Sequence, residues 1–136
     1  MPLELDEARK LISATLDHAS KMGITVAAAV VDEGGHLQGL ERMDGAFPLS
    51  SQLAESKAVG ASIWHRDGGA LAALQAERPA FFAQVDRLAR MPMMPGAGSV
   101  VIRRGDRVLG AIGVSGGTSD EDLQCAKAGL EALFGG

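Results

Sequence analysis

Residues 24–43, ITVAAAVVDEGGHLQGLERM, decide the fold of this chain. The run 24–31 is apolar throughout and has the length of a β-strand. A turn containing Gly34 and Gly35 follows it, and the next run alternates roughly between apolar and polar residues, so the stretch predicts a β-hairpin. Because the first run carries no charge, we expect it at the centre of a sheet that is covered on both faces.

The segments on either side of this hairpin extend the pattern. Apolar residues recur at helical spacing from Leu5 to Met22, and Gly23 is placed to end that helix. Residues 99–103 and 107–115 predict a second hairpin that turns at Gly105. Two glycines inside its second strand, Gly110 and Gly113, require the close approach of another backbone or of a ligand.

The remaining segments are predicted to be helical, apart from the proline-containing loop 91–98. Ser50 or Ser51 is expected to cap a helix that runs to Trp64, and shorter helices cover 70–78 and 79–90. Thr118 or Ser119 is expected to cap the last helix. The whole pattern predicts an α+β domain in which helices cover an antiparallel sheet.

Composition narrows the class of protein. The 136 residues fit one domain, 1–136, and contain 4% aromatic residues with a net charge of −4. This combination disfavours nucleic-acid binding. We find neither a signal peptide nor an apolar run of the roughly 20 residues that a membrane span needs, so we expect a cytoplasmic location and no membrane partner. Cys125 is the sole cysteine and zinc spacing is absent, so we expect no metal site.

Several motifs together resemble the GlcG/HbpS-like family, which is often described as heme-degrading or heme-binding and also forms the C-terminal part of some corrinoid adenosyltransferases. The matching stretches are 30–37 (VVDEGGHL), 42–46 (RMDGA), Lys57-Ala58 and 110–118 (GAIGVSGGT). The resemblance implies a profilin-like α/β/α sandwich with a central five-stranded antiparallel sheet. It also implies a homo-oligomer, with a range in the family from dimer to octamer.

The resemblance directs attention to His18 as a heme ligand. This residue lies at the edge of the apolar face of the first helix, and a histidine at this position looks like the iron ligand of heme-binding relatives. Heme would be held noncovalently, since no Cys-x-x-Cys-His motif is present. The alternative interpretation is a half-buried histidine near the C-terminal end of a helix, where positive charge is favoured.

Arg42 and Lys57 form the second candidate group. A lysine on the packed face of a helix needs an anionic partner, because an isolated buried ammonium group is costly. The partner can lie within the chain, with three candidates: Asp32, Asp44 and Glu55. It can equally be the carboxylate or phosphate of a ligand.

The junction between the last strand and the last helix forms the third candidate group. Backbone amides at a helix start can bind an anion, and the hydroxyl groups of Ser115 and Thr118 would complete such a site around Gly116 and Gly117. The competing interpretation is a tight capped turn, because residues 120–122 already supply negative charge there.

Three functions stay open at this point. The first is an oligomeric cytoplasmic protein that binds a small molecule, with heme or a related tetrapyrrole as the expected ligand. The second is a cofactor-free enzyme of isomerase or lyase type, or an accessory factor, acting on an anionic metabolite of a catabolic pathway. Its base would be His36, Lys57 or Glu121, and Arg42 would anchor the substrate. The third is a scaffold that acts through assembly alone, so whether the protein is an enzyme stays undecided.

Overall fold

A computed structural model describes residues 2–135. The elements follow one another as α1 (Leu5–Met22), β1 (Ala27–Asp32), β2 (Leu37–Arg42), α2 (Ser50–Trp64), α3 (Gly68–Glu77), α4 (Pro79–Leu88), β3 (Ser99–Arg104), β4 (Arg107–Ser115) and α5 (Ser119–Phe134). The strands form one antiparallel sheet in the order β2-β1-β4-β3.

The uncharged first strand lies in the interior of the sheet, as its sequence predicts. β1 pairs with β2 on one side and with β4 on the other, and Ala27–Val31 are fully buried. Such a strand can omit polar residues because helices cover both of its faces. The register places Ala27 opposite both Arg42 and Ser115, so these three residues form a row across one end of the sheet.

The sheet separates two helical layers. Alternate side chains of β1 point to opposite faces, so Val26, Ala28 and Val30 join the core that α1 and α5 cover. On the other face, Ala27 and Ala29 pack against α2, together with Val31. This arrangement confirms the predicted α+β class.

The expectation of a fifth strand is wrong. The two hairpins supply four strands, and the long connection between them contains α2, α3 and α4. The end of that connection, residues 91–98, forms no regular element. Pro92 and Pro95 lack the amide hydrogen that a strand donates to its neighbour, which explains why this segment does not join the sheet.

The glycines of β4 have the close neighbours that their positions predict. A Cβ atom on Gly113 would press on the carbonyl oxygen of Ala54 and lie 2.8 Å from the amide nitrogen of Ala58. A Cβ atom on Gly110, which has a φ of +155°, would collide with the carbonyl group of Val31. Gly113 therefore lets the backbone of α2 lie directly on the sheet.

Within residues 2–135, no helix is both long and apolar enough to cross a membrane.

The contact between Gly113 and α2 predicts a large effect of one methyl group. We expect Gly113→Ala to lower the free energy of unfolding by about 3 kcal/mol, because neither backbone can move away easily. Gly69→Ala is the control: its Cβ would meet nothing within 4 Å, and alanine at this helical position should leave stability unchanged or raise it by up to about 1 kcal/mol. Urea denaturation measures both, and equal effects of the two substitutions would contradict the close packing of α2 on β4.

Candidate functional site

A cavity of about 590 Å³ opens at the end of the sheet where β4 ends and α2 begins. Residues 47–50 and 53 form one wall, and residues 115–117 form the other. We call this space the α2 cavity. It contains three of the predicted binding residues, Ser115, Gly116 and Gly117, whereas Thr118 is not part of its lining.

In the turn after β4, the amides of Gly117 and Thr118 are bound within the chain and are not free to bind a ligand. The amide of Gly117 donates to Asp122 Oδ1 at 2.8 Å, and the amide of Thr118 donates to Glu121 Oε1 at 2.9 Å. The Thr118 hydroxyl accepts from the amide of Glu121 and completes the cap of α5. The capped-turn interpretation is therefore the right one for these amides, because the acidic side chains of α5 already bind them.

Lys57 has a partner inside the chain, and it is none of the three that the sequence suggested. The ammonium group donates to the carbonyl oxygen of Val114 at 3.0 Å and lies 3.4 Å from Asp122 Oδ2. The side chains of Lys57 and Asp122 are 13% and 4% exposed. Asp32, Asp44 and Glu55 are therefore the wrong candidates, and Glu55 instead pairs with Arg90 at 2.8 Å.

The structure does not bring Arg42 and Lys57 to a common partner. Arg42 is exposed at the end of β2, and its guanidinium group donates to the carbonyl oxygen of Ala46 at 3.0 Å. Glu121, another of the three proposed bases, accepts a hydrogen bond from the amide of Thr118. Among the described residues, the candidates for acid–base chemistry are thus distributed over separate local contacts.

The three histidines lie in different surroundings. His36 is 71% exposed, and its Nδ1 atom lies 3.4 Å from Asp32 Oδ1. His65 adopts a left-handed conformation and is the C-cap residue of α2. His18 is half-buried on α1 and forms no hydrogen bond or ion pair with any residue from 2 to 135. The imidazole of His65 likewise has no partner among residues 2–135, but His65 is exposed, so His18 is distinguished by its partial burial.

The helical stripe that contains His18 faces α5. Thr15 and Met22 lie three residues before it and four after it, and so share one side of α1 with it. Thr15 contacts the backbone at Gly129, and Met22 Sδ lies 3.9 Å from Cys125 Sγ. His18 therefore lies on the side of α1 that is turned towards α5 and is not part of the lining of the α2 cavity.

Sequence reasoning missed the α2 half of the cavity. Phe47 and Leu49 are 74% and 56% exposed, and neither was expected to contribute to a site. Ser50 was expected to cap α2, but the N-cap residue is Leu49 and no side chain caps this helix end. The detectable signal is the pair of apolar residues around Pro48, directly before a helix with no acidic residue in its first turn.

Cys125 is excluded as a nucleophile by its surroundings. The residue is fully buried. Burial, followed by the nearby carboxylates of Asp122 and Glu121, raises the pKa of its thiol to about 11. The reactive thiolate is therefore scarce near neutral pH. Across residues 2–135, no three His, Cys, Asp or Glu side chains gather in a metal-binding group.

The buried ion pair predicts an asymmetric response to substitution. Lys57→Met leaves the Asp122 carboxylate buried without its cation, so we expect the free energy of unfolding to fall by about 3 kcal/mol. The double variant Lys57→Met/Asp122→Asn should recover part of this loss, since no unpaired charge is left. Asp6→Asn is the control, because the Arg9–Asp6 pair is 69% and 91% exposed. An exposed pair contributes less than about 1 kcal/mol, so an equally small effect of Lys57→Met would contradict the role of the buried pair.

The raised pKa of Cys125 predicts how stability depends on pH. A free thiol has a pKa of about 8.5, whereas that of Cys125 is about 11. Between these two pH values, unfolding therefore releases a proton from the thiol. The contribution of Cys125 to the free energy of unfolding is complete below the pKa of the free thiol and is lost as the pH rises through about 11. At about pH 8, we expect a disulfide reagent to label the unfolded chain rapidly and the native chain very slowly. Equal labelling rates would contradict the burial of the thiol.

Comparison with known proteins identifies the family. A family model described as "Haem degrading protein HbpS-like" matches residues 3–131. Protein GlcG from Escherichia coli K12 is 31% identical over 108 residues, which cover 79% of this chain and 77% of GlcG.

Two solved structures share the fold. HbpS from Streptomyces reticuli, solved as a double mutant, is 32% identical with a TM-score of 0.87, and the match covers 98% of this chain and 88% of that one. The PduOC:heme complex is 22% identical with a TM-score of 0.87, over 98% of this chain and 96% of that one. With the motifs at 30–37 and 110–118 in place on this sheet, the chain belongs to the HbpS-like family.

Proposed function

We propose that this protein is an oligomeric heme-binding protein that holds the iron of heme, or of a closely related tetrapyrrole, through His18. The observation that carries the proposal is the free imidazole of a half-buried histidine on the α1 stripe that faces α5. A neutral imidazole nitrogen is a common axial ligand of heme iron. The solved PduOC:heme complex, which shares this fold, supports the choice of ligand.

The surroundings of His18 suit a ligand held at a surface. The residue is neither buried nor fully exposed, so part of its side chain is accessible to a ligand. The cavities described in the chain do not include His18. A second protomer would therefore supply the other wall of the heme site, which connects heme binding to the proposed oligomer.

The apolar residues left at the surface of the protomer support self-association. Phe47 and Leu88 are 74% and 87% exposed, and Leu5 and Phe134 are 48% and 44% exposed. An oligomer that covered these side chains would remove apolar surface from water, which favours association. We also propose a cytoplasmic location.

The geometry favours binding over the enzymatic alternative. An isomerase or lyase would need a base and an anchoring cation around one substrate. Lys57 is instead bound to Asp122, Glu121 to the Thr118 amide, and Arg42 to the Ala46 carbonyl. No observation here favours the scaffold alternative over ligand binding.

Titration with hemin tests the proposal. We expect the wild-type protein to shift the Soret band of hemin in a saturable way, because an axial nitrogen ligand changes the ligand field of the iron. His18→Ala should abolish this shift. His36→Ala is the matched control, since His36 is exposed beside Asp32, and it should titrate like the wild type.

A metal-free porphyrin separates ligation from general apolar binding. Protoporphyrin lacks iron, so His18→Ala should leave its binding unchanged if His18 acts only as an iron ligand. An unaltered Soret titration in His18→Ala would overturn the assignment. Light scattering with and without hemin measures the oligomer, and a monomer under both conditions would contradict the two-protomer heme site.

A further inference from the structure

The first turn of α2 leaves backbone donors without partners. Within residues 2–135, the amides of Ser51 and Gln52 donate to no acceptor, whereas the amides of Ser50 and Leu53 donate to the carbonyl oxygens of Phe47 and Leu49. No side chain caps this end, and its first turn contains no acidic residue. The positive end of the helix dipole is therefore uncompensated. α5 shows the contrast, because a capping box and three acidic residues satisfy its first turn.

Two buried hydroxyl groups independently point to a ligand at this place. Ser50 and Ser115 are only 2% and 6% exposed, both line the α2 cavity, and neither hydroxyl forms a hydrogen bond within the described chain. Most buried polar side chains have a partner. The oxygens are also not sealed in the protein, since the enclosed, unpartnered side-chain oxygens of residues 2–135 are those of Thr15 and Gln38. The hydroxyls of Ser50 and Ser115 therefore remain available to a molecule in the cavity.

The rest of the lining is apolar and uncharged. Phe47, Pro48, Leu49 and Leu53 form its walls, and Gly116 and Gly117 add backbone without side chains. Close packing within the chain already requires both glycines. A Cβ atom on Gly116 would collide with the carbonyl oxygen of Thr25, and one on Gly117 would lie 2.9 Å from Glu121 Oε1.

We propose that the α2 cavity is a binding site for a small monocarboxylate with an apolar tail. The carboxylate accepts hydrogen bonds from the hydroxyls of Ser50 and Ser115 beside the positive end of α2, and the tail lies against Phe47 and Leu53. A carboxylate suits the site better than a phosphate, because no lysine or arginine lines the cavity to balance a second negative charge. The site is separate from His18 and does not depend on heme binding.

Sodium hexanoate is the probe that tests this site in the full chain. Titration calorimetry should show saturable binding, and amide NMR signals of the first turn of α2 and of residues 115–117 should shift. Hexan-1-ol has the tail without the charge, and acetate has the charge without the tail. Each should bind at least about tenfold more weakly, because each loses one of the two interactions.

Serine substitutions test the polar half of the site. Ser50→Ala and Ser115→Ala should each weaken hexanoate binding about tenfold, since each removes one hydrogen bond to a charged group. Neither hydroxyl has a partner in the free protein, so the melting temperature should hardly change. Ser51→Ala is the matched control, because its side chain lies in the same turn of α2 but does not line the cavity, and it should bind hexanoate as the wild type does.

A carboxylate built into the chain provides the complementary test. Leu49→Asp places a negative charge at the start of α2 on a residue that is 56% exposed. It should raise the melting temperature, because it compensates the helix dipole, and should abolish hexanoate binding. Leu49→Asn can also cap the helix but adds no charge, so it should weaken hexanoate binding less than Leu49→Asp does.

Two results would overturn the proposal. The first is equal binding of hexanol and hexanoate, or no saturable binding of hexanoate by the folded wild type. The second is unchanged hexanoate affinity in both Ser115→Ala and Leu49→Asp.

Discussion

The buried ion pair between Lys57 and Asp122 joins the two helical layers at one end of the sheet. The rest of the architecture depends on this connection. Lys57 comes from α2, on one side of the sheet, and Asp122 from the first turn of α5, on the other side. The lysine also binds the carbonyl oxygen of Val114, and the aspartate binds the amide of Gly117. Both helical layers are thus fixed to the last residues of β4 by one set of polar contacts. Because the pair is shielded from water, neither charge can be removed without leaving the other unsatisfied.

Small residues make this connection geometrically possible. A Cβ atom on Gly98 would lie 2.9 Å from Asp122 Cβ and 3.1 Å from Lys57 Nζ, and Gly113 allows α2 to lie on the sheet. The segments that contain Lys57 and Gly98, 57–61 (KAVGA) and 98–101 (GSVV), include no aromatic residue, arginine or proline. The ion pair and the glycines therefore form one unit, in which close approach of the backbones brings the charges within reach.

Local patterns were sufficient to predict most elements of the fold but not its long-range partners. The uncharged run 24–31 indicated a central strand, and the hydroxyl residues Thr118 and Ser119 indicated the start of α5, because both depend on nearby residues alone. The partner of Lys57 was missed because Asp122 lies far away along the chain, and acidic residues closer in sequence looked equally suitable. The start of α2 was misjudged for a related reason: the Ser50 hydroxyl has the right chemistry for a cap, but burial beside β4 directs it elsewhere. Residues 115–117 of the 110–118 motif line the α2 cavity, but the amides of Gly117 and Thr118 are bound by acidic side chains of α5.

The uncapped start of α2 lies beside a cavity, so the stability of the protein should depend on which molecules are present to bind there. No side chain caps this helix end, so water satisfies its free amides in the unbound protein, and the hydroxyls of Ser50 and Ser115 lie beside it in the α2 cavity. Any solute that binds the native state and not the unfolded chain shifts the folding equilibrium in proportion to the logarithm of its concentration. A ligand of the α2 cavity would therefore make the folded chain more resistant to heat and to proteolysis.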